Sequence, residues 1–244
     1  MALLKRVLRA LPLLVLSPVV LALTAVVLAL TDIAWKLFGR AGARPEPRAG
    51  DPERTSGPAP RNASVVIPNW NGKDLLARYL PSVVEAMGGN EIIVVDNGST
   101  DGSAEFVRRE FPQVRVLALE KNLGFGGGSN AGFRAATNDI VVLLNSDMRV
   151  APDFLAPLLE GFRDADVFAV SCQIFFSDPN KLREETGLTQ AWWQDGGLRV
   201  RHRIDSEIRD LYPCFYGGGG SCAFDRNKFL ELGGFDHILA PFYL

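Results

Sequence analysis

Four short apolar runs, each followed by a stretch of helical character, constrain the fold of this chain more than any other feature. The runs cover residues 64–68, 91–96, 114–119 and 139–145, and the helical stretches lie near residues 73–87, 102–110, 127–136 and 152–163. Because the runs are continuously apolar instead of alternating with polar residues, they predict strands that are covered on both faces. Strands that alternate with helices form right-handed crossovers. The sequence therefore predicts an α/β domain with a doubly wound, mostly parallel sheet.

Polar residues collect where each predicted strand ends. The first run ends in Pro68 with Asn69 and Asn71 next, the second in Asp96 with Asn97 and Asp101 next, and the fourth in Asn145 with Asp147 next, while Asn122 and Gly124 follow the third. Each group alone is compatible with turn chemistry, and Asp101 before Gly102 is also a candidate helix cap. Ligands of open α/β sheets bind at the carboxyl ends of the strands. Four polar strand ends on one rim therefore favour a ligand site over four unrelated turns.

The glycine-rich run "GFGGGSN" at residues 124–130 follows a predicted strand and opens a predicted helix. A dinucleotide-binding fingerprint would need its third glycine at Ser129, so that interpretation is weak. No Lys-Ser or Lys-Thr pair follows a glycine loop, which excludes a Walker-type phosphate cradle. We expect the run to allow close backbone approach and to offer free N–H groups to a ribose or phosphate.

The fourth run ends in Asn145, and Ser146 and Asp147 follow it directly. A carboxamide and a carboxylate two positions apart offer oxygen ligands to Mg²⁺ or Mn²⁺, which would keep its other positions for substrate phosphates. An unpaired carboxylate at the end of a buried strand is costly unless a partner neutralises it. The helix near residue 152 begins too far away for Asp147 to cap it. The sequence therefore predicts that Asp147 binds a divalent cation.

Charge is distributed unevenly along the chain. Residues 1–61 carry nine Lys or Arg against four Asp or Glu, which leaves 17 against 24 in residues 62–244, a net charge of −7. An acidic globular part argues against nucleic acid as a partner. The three cysteines, Cys172, Cys214 and Cys222, show no metal-ligand spacing, and we expect them to be reduced and buried.

The N-terminal region contains an uncharged stretch of 20 residues, 11–30, which is long enough to cross a bilayer. A cleaved signal peptide is the alternative, but the stretch is long for one and no convincing cleavage site follows. We interpret residues 1–38 as a membrane anchor, residues 39–61 as a Pro/Gly-rich linker and residues 62–244 as the globular domain. Basic residues flank the stretch on both sides, so their distribution favours a cytoplasmic orientation of the globular domain only slightly. We expect the anchor to lie in the cytoplasmic (inner) membrane.

Five ordered motifs, "VVIPNWNG", "VVDNGSTDGS", "NLGFGGGSNAG", "LLNSDM" and "GGGGSCAFDR…LGGFD", resemble the inverting GT-A glycosyltransferases of family 2, in particular the bacterial rhamnosyltransferase-like branch. The resemblance extends from about Ser64 to the C-terminus. It implies a nucleoside-diphosphate sugar as donor, a glycan or lipid-linked acceptor, a role in cell-surface polysaccharide synthesis, and Asp147 as the end of a D-x-D-type metal motif that begins at Asn145. The substrate-binding residues that it implies are Pro68, Asn69, Asn71, Asp96, Asn97, Asp101, Asn122, Gly124, Gly126, Asn130, Asn145, Gly219 and Gly220.

The resemblance also implies a catalytic Glu-Asp pair beyond Leu244, so we expect this sequence to be C-terminally incomplete, with Asp236 structural and no catalytic base present.

Two other functions are alternatives to sugar transfer. A nucleotidyltransferase would need a basic glycine-rich loop after its first strand, where "NWNGKD" stands instead. A non-catalytic nucleotide-sugar-binding protein stays open because of the expected missing end. A stretch of aromatic and basic residues has two interpretations: it either contacts a sugar or lipid-diphosphate acceptor, or consists of a packed tryptophan and a solvated basic loop. It contains Trp192, Trp193, Arg199, Arg201, His202 and Arg203.

Overall fold

The computed structural model describes residues 2–38, 57–60, 62–175, 177–178, 180, 188–194, 196–202, 210–236 and 238. Most of the predicted linker, the C-terminal residues 239–244 and Arg203 lie outside this set. The described residues form two compact units. The first comprises the N-terminal helix together with residues 191–201, and the second comprises the remaining α/β elements.

The first unit contains helix α1 (Ala2–Phe38). Within α1, the 19 residues Leu16–Ala34 are long and apolar enough to cross a membrane, and none of this stretch is buried. The same unit holds most of a two-stranded ribbon formed by β6 (Thr189–Gln194) and β7 (Gly197–His202). The sequence predicted the apolar stretch but described residues 189–202 only as less regular.

The second unit follows the predicted alternation of strands and helices. Its first half contains β1 (Ser64–Asn69), α2 (Lys73–Met87), β2 (Glu91–Asp96), α3 (Ser103–Glu110), β3 (Arg115–Ala118), α4 (Gly124–Ala135) and β4 (Ile140–Leu144). Its second half contains α5 (Leu155–Glu160) with a 3₁₀ turn (Gly161–Arg163), β5 (Ala169–Ser171), β8 (Ser221–Asp225) and α6 (Arg226–Glu231).

The central sheet has the strand order β3-β2-β1-β4-β8-β5. Strands β1 to β4 are mutually parallel, whereas β8 is antiparallel to both β4 and β5. The predicted α/β class with a mostly parallel sheet is therefore confirmed. The glycine-rich segment before residue 221 leads into β8, an inner strand that the sequence did not predict.

Two apolar layers cover the sheet, because successive side chains of each strand point to opposite faces. One face packs on α2, α3 and α5 and includes Val65, Ile67 and Val94. The opposite face packs on α4 and α6 and includes Val66 and Val141. Burial on both faces explains why the strands read as continuous apolar runs.

Three predicted elements differ in extent from the structure. Helix α4 begins at Gly124, inside the glycine run, whereas the sequence placed its start near residue 127. The helix expected over residues 152–163 is shorter, with α5 followed by a 3₁₀ turn. Beyond the four predicted strands, the sequence also contains an apolar run at residues 167–176, which contributes only the three-residue edge strand β5. Edge positions have one sheet neighbour, so long-range pairing and not local apolarity sets their length.

The cysteines are free thiols, as expected. Cys222 is fully buried in β8, and burial raises the pKa of its thiol to about 12. Cys172 and Cys214 are half-buried, so the expectation of burial is right for Cys222 and overstated for the other two.

Candidate functional site

The strand order reverses at β1, which lies between β2 on one side and β4 on the other. The chain fills the β2 side first and then returns to place β4 on the opposite side. Such a reversal opens a crevice at the carboxyl ends of the two central strands. The β1–β4 ladder ends at Val66, two residues before Pro68, which has no N–H to extend it. The last residues of β1 therefore lie at the switch point of the sheet.

Asn69 and Asp96 end β1 and β2 as register partners, so their side chains lie next to each other on one face of the sheet. Only 2 % of Asn69 and 5 % of Asp96 is exposed. Both amide atoms of Asn69 and the Oδ1 atom of Asp96 are buried without a hydrogen-bond partner in the described part of the chain. Buried polar atoms are normally paired, and an unpaired one costs about 1–3 kcal/mol. These three atoms therefore need a partner that the described residues do not supply.

Gly72 leaves room for the Asn69 side chain. A Cβ atom at this position would lie 2.3 Å from Asn69 Oδ1 and 3.7 Å from Ser146 Oγ. The first distance is too short for any side chain at position 72. The second shows that the turn after β1 meets the turn after β4, as the switch-point topology requires.

Asn71 fixes the turn after β1 against the loop after β2. Its φ of 52° is in the left-handed region, which Asn tolerates better than most residues. The Asn71 N–H donates to Ser99 Oγ at 3.0 Å, and Asn71 Oδ1 accepts from the Thr100 N–H at 2.8 Å. Asn71 is thus brought to the predicted rim, and its amide oxygen holds the neighbouring loop.

Asp101 joins the starts of two helices. Its carboxylate accepts hydrogen bonds from the Lys73 N–H at 2.9 Å and from the Ser103 N–H at 3.0 Å, and also from the Ser103 hydroxyl. Burial raises the pKa of the Asp101 carboxyl, but these hydrogen bonds outweigh it and hold the pKa below its ordinary value. The alternative of a capping role is therefore visible in the structure, whereas contact with a nucleotide stays a prediction.

Asn97 and Asn122 hold the loop after β3 on the loop after β2. Asn97 Nδ2 donates to Asn122 Oδ1 at 3.0 Å and to the Gly124 carbonyl at 2.9 Å, while Asn97 Oδ1 accepts from the Leu123 N–H at 2.9 Å. Asn122 Oδ1 also accepts from the Gly124 N–H at 2.7 Å. Both side chains are used within the protein, so they shape the rim whether or not they also contact a ligand.

The glycine run is helical from Gly124 onward, so the free N–H groups that the sequence predicts at a helix start are confined to the first turn of α4. Gly126, Gly128 and Asn130 are buried inside α4. Asn130 donates through Nδ2 to the Phe235 carbonyl and accepts at Oδ1 from the Phe235 N–H, both at 2.9 Å. Its two polar atoms thus hold a segment 105 residues away. In the first turn of α4 the Gly124 N–H is already bonded to Asn122 Oδ1, and the next N–H groups have no partner within the helix.

Asn145 meets the glycine segment before β8. Its N–H donates to the Gly220 carbonyl at 2.9 Å, and a Cβ atom on Gly220 would lie 2.9 Å from Asn145 Nδ2. A Cβ atom on the adjacent Gly219 would lie 3.4 Å from Phe125 in the first turn of α4. The structure therefore brings together Asn145, Gly219 and Gly220, which the sequence placed in one site from 74 residues apart or more.

Asp147 is solvent-exposed, which corrects one step of the sequence argument. The β4 strand ends at Leu144, and residues 146–147 form a turn, so the carboxylate is not at a buried strand position. Desolvation therefore does not force a cation onto it. Within the described residues its side chain makes no hydrogen bond or ion pair, and it is available to a ligand.

The residues after β4 fit a divalent cation that is shared with a phosphate-bearing ligand. No three His, Cys, Asp or Glu side chains come together as a metal-binding group in the described ranges. A metal held by the protein alone is therefore not supported there. Mg²⁺ and Mn²⁺ are commonly held by one or two protein oxygens together with substrate phosphates. Asp147, with the Asn145 amide oxygen beside it in sequence, provides that donor set.

Two aromatic residues on this rim are absent from the predicted set. Trp70 follows Asn69 directly and is 59 % exposed, and Phe125 in the first turn of α4 is 37 % exposed. An exposed tryptophan beside buried polar atoms offers a flat apolar surface to an aromatic ring. The signal was present in the sequence, since a large aromatic residue stood between two asparagines at a strand end.

Comparison with known proteins gives the family. The model of the family described as "Glycosyl transferase family 2" matches residues 64–226. An uncharacterized glycosyltransferase of Nostoc sp. is 34 % identical over 131 residues, which cover 52 % of this chain and 41 % of the relative. An undecaprenyl-phosphate 4-deoxy-4-formamido-L-arabinose transferase of Edwardsiella ictaluri is 38 % identical over 105 residues, which cover 40 % of this chain and 32 % of the relative. The chain thus spans less than half the length of either relative.

A solved structure agrees in fold. The structure described as GalNAc-T7 with UDP, GalNAc and Mn²⁺ aligns with a TM-score of 0.57 at 21 % identity, covering 73 % of this chain and 38 % of that one. At this identity the similarity shows the GT-A fold alone.

Proposed function

The chain belongs to glycosyl transferase family 2, and on this premise we propose that it transfers a sugar from a nucleoside-diphosphate sugar to a glycan or lipid-linked acceptor with inversion at the anomeric carbon. In this reaction an acceptor hydroxyl attacks the anomeric carbon, the bond from that carbon to the diphosphate breaks, and the hydroxyl proton passes to a base. The membership of a rhamnosyltransferase-like branch and a role in polysaccharide synthesis are part of the same proposal.

The observation that carries the proposal is the pair of buried strand ends, Asn69 and Asp96. Three of their polar atoms have no partner among the described residues, and a nucleoside has both donors and acceptors to offer them. A base N–H or a ribose hydroxyl would donate to Asp96 Oδ1, and Asn69 would donate and accept in the same layer. Trp70, 59 % exposed beside them, would then stack on the base.

The diphosphate would lie on the β4 side of the crevice, near Asp147. Here Asp147, with Asn145 as a second candidate ligand, would hold Mg²⁺ or Mn²⁺, and the cation would supply positive charge against the departing diphosphate. The solved structure of similar fold that contains UDP and Mn²⁺ supports this proposal by analogy. In the first turn of α4, the N–H groups that follow Gly124 have no partner within the helix and would suit a phosphate or ribose.

Membrane attachment belongs to the same proposal. The apolar stretch Leu16–Ala34 would anchor the chain in the cytoplasmic membrane, with the glycosyltransferase domain on the cytoplasmic side. A relative that acts on undecaprenyl phosphate supports a lipid-linked acceptor as one option.

A panel of nucleotide sugars tests the proposed donor class. The full chain in detergent is heated with each compound and Mg²⁺ or Mn²⁺, and unfolding is followed by tryptophan fluorescence. A ligand at 100 times its Kd stabilises the folded state by about 2.7 kcal/mol, and each kcal/mol raises the Tm by roughly 2–4 °C for a domain of this size. We expect at least one nucleoside diphosphate and its sugar to raise the Tm. The proposal fails if none of them changes it.

A further inference from the structure

The ribbon formed by residues 191–201 has one basic and one apolar face. The Arg201 guanidinium carbon lies 5.0 Å from the centre of the Trp192 ring, so these two side chains share a face. Because successive side chains of a strand point to opposite faces, Arg199 joins them. By the same alternation, Trp193, Leu198 and Val200 lie on the other face.

The apolar face is exposed. Trp193 is 66 % exposed, Leu198 48 % and Val200 46 %. A two-stranded ribbon is marginally stable in water, and a contiguous exposed apolar patch marks a binding surface. The described residues therefore present an apolar surface of three side chains with an arginine-bearing face behind it.

The ribbon belongs to the same compact unit as α1. A Cβ atom at Gly196, in the turn of the ribbon, would lie 4.0 Å from Asp32 Oδ1. Asp32 is near the C-terminal end of the apolar stretch Leu16–Ala34, the only candidate span in the described residues. The ribbon turn is therefore level with the point where that stretch would leave the hydrocarbon.

We propose that this ribbon lies in the interface of an anionic phospholipid bilayer, an inference that rests on the proposed membrane anchoring. Trp193, Leu198 and Val200 contact the acyl chains, while Arg199 and Arg201 reach the phosphates. Tryptophan and arginine are typical of this depth. The open strand edges stay hydrated at the headgroup level, as they must, because unpaired backbone groups are not tolerated in hydrocarbon.

Charge supports an anionic surface over a neutral one. Counting Asp195, the sequence of residues 191–201 carries two arginines and one acidic residue, a net charge of +1. A basic residue near an anionic leaflet favours binding about fivefold. A bilayer around the apolar stretch Leu16–Ala34 extends to the ribbon, because the turn of the ribbon lies beside Asp32 near the end of that stretch. Binding of a second protein chain would not require the ribbon to lie beside that end.

Quenching by brominated acyl chains tests the proposal on the full chain in nanodiscs of phosphatidylglycerol. The Trp193→Phe variant retains the other three of the four tryptophans, so any difference from the parent reports Trp193. We expect the emission that is lost to quenching to fall in Trp193→Phe. The matched control Trp70→Phe changes a tryptophan of the α/β unit and should leave the quenched emission as it is in the parent. An identical quenched emission in the parent and Trp193→Phe would overturn the proposal.

Carbonate extraction of membranes that contain the full chain separates this result from the anchoring on which it rests. Release of the chain by carbonate contradicts the transmembrane anchor, whereas quenching of Trp193 decides the position of the ribbon in either case. In the Arg199→Gln, Arg201→Gln double variant, quenching should become equal in phosphatidylglycerol and phosphatidylcholine nanodiscs. A preference for phosphatidylglycerol equal to that of the parent would contradict the headgroup contacts.

Discussion

Asp96 and Asp101 are alike in the sequence, since both are aspartates of the "VVDNGSTDGS" motif, but the structure gives them different surroundings. Asp101 accepts hydrogen bonds from the starts of α2 and α3, whereas Asp96 Oδ1 is buried without a partner in the described part of the protein. A buried group with no internal partner does not stabilise the unliganded fold, so we expect a ligand to supply its partner. The two residues therefore make separable predictions about affinity and stability.

Replacing Asp96 by Ala should weaken nucleotide binding without unfolding the protein. Loss of one hydrogen bond to a charged group costs about 1–3 kcal/mol, or roughly a fivefold to 150-fold rise in Kd. Calorimetric titration with the stabilising nucleoside diphosphate measures this change, and a thermal unfolding curve verifies that the variant is folded. Unchanged affinity in a folded variant would exclude Asp96 from the nucleotide site.

Replacing Asp147 by Asn should remove the metal dependence of donor binding, because the amide keeps the shape but not the charge that a divalent cation needs. Asp153→Asn is a matched control, since it removes the same charge from another exposed position nearby. Calorimetry of the nucleoside diphosphate with and without Mn²⁺ is the measurement. If Asp147→Asn and Asp153→Asn both keep the metal dependence of the parent, the metal assignment is wrong.

At the scale of elements, Gly132 fixes how closely α4 packs on the sheet. A Cβ atom there would lie 2.3 Å from Val66 Cγ1 and 2.9 Å from Val95 Cγ2. Valine side chains are stiff and buried between helix and sheet, so they have little freedom to move away. The glycine of the "NAG" motif is thus a packing residue of α4.

Gly132→Ala should destabilise the fold. Alanine favours a helix by about 1 kcal/mol over glycine, but overpacking of a dense core costs about 1–3 kcal/mol, so we expect a net loss of about 1–2 kcal/mol. Gly218→Ala, at a position with no heavy atom within 4 Å of the added carbon, should stay within about 0.5 kcal/mol of the parent. Urea unfolding measures both, and equal stability of the two variants would contradict the packing argument.

Glu91, at the amino end of β2, links this strand to β1, to β3 and to the loop after α4. Its carboxylate accepts from the Ser64 hydroxyl at 2.5 Å and from the Thr137 N–H at 2.8 Å, and it lies 3.4 Å from Arg115 Nη1. Burial raises the pKa of this carboxyl, but the hydrogen bonds and the arginine charge outweigh burial and lower the pKa below its ordinary 4.5. The ionised form therefore stabilises the folded chain.

Because the folded-state pKa of Glu91 is below the unfolded value, its contribution is complete above about pH 4.5 and is lost as the pH falls through the folded pKa. Glu91→Gln should cost about 1–3 kcal/mol at pH 7 and less at lower pH, so its unfolding free energy should depend less on acid than that of the parent. Glu85→Gln, at an exposed position of α2, should retain the acid dependence of the parent. Urea unfolding from pH 3 to 7 compares them, and parallel curves for Glu91→Gln and the parent would refute the linkage.

At the scale of the whole molecule, the chain combines an apolar helix with an α/β unit of family 2. Nucleotide sugars are charged and do not cross a bilayer unaided, so a transferase that uses them from the cytoplasm must present its site there. If the apolar stretch Leu16–Ala34 crosses the membrane, we therefore expect the α/β unit to lie on the cytoplasmic side.

Protease added to intact cells should spare the α/β unit, and the same protease should digest it in inverted membrane vesicles. An epitope tag at the C-terminus, followed by immunoblotting, reports both results. Digestion in intact cells would refute the cytoplasmic orientation. It would leave the donor-binding predictions for Asp96 and Asp147 to be decided by their own titrations.

The sequence by itself determined the class of fold and the sharing of one rim by the strand ends. Continuous apolar runs alternating with helical stretches required parallel strands covered on both faces, because burial on both faces leaves no place for polar residues within a strand. Polar residues at the strand ends then had to share one rim. Asn69 and Asp96 do end neighbouring strands as register partners, whereas their contact with a donor stays a prediction.

Only the tertiary structure decided which residues of that rim are already used by the protein. Asn130 pairs with Phe235 across 105 positions, β8 enters the sheet antiparallel between β4 and β5, and Asp147 is in an exposed turn. Each of these depends on which distant segment comes to lie beside the residue, and no local pattern specifies that choice. Hydrogen-bond partners and strand neighbours are set by the packing of the whole chain, whereas hydrophobic period is set by the few residues around each position.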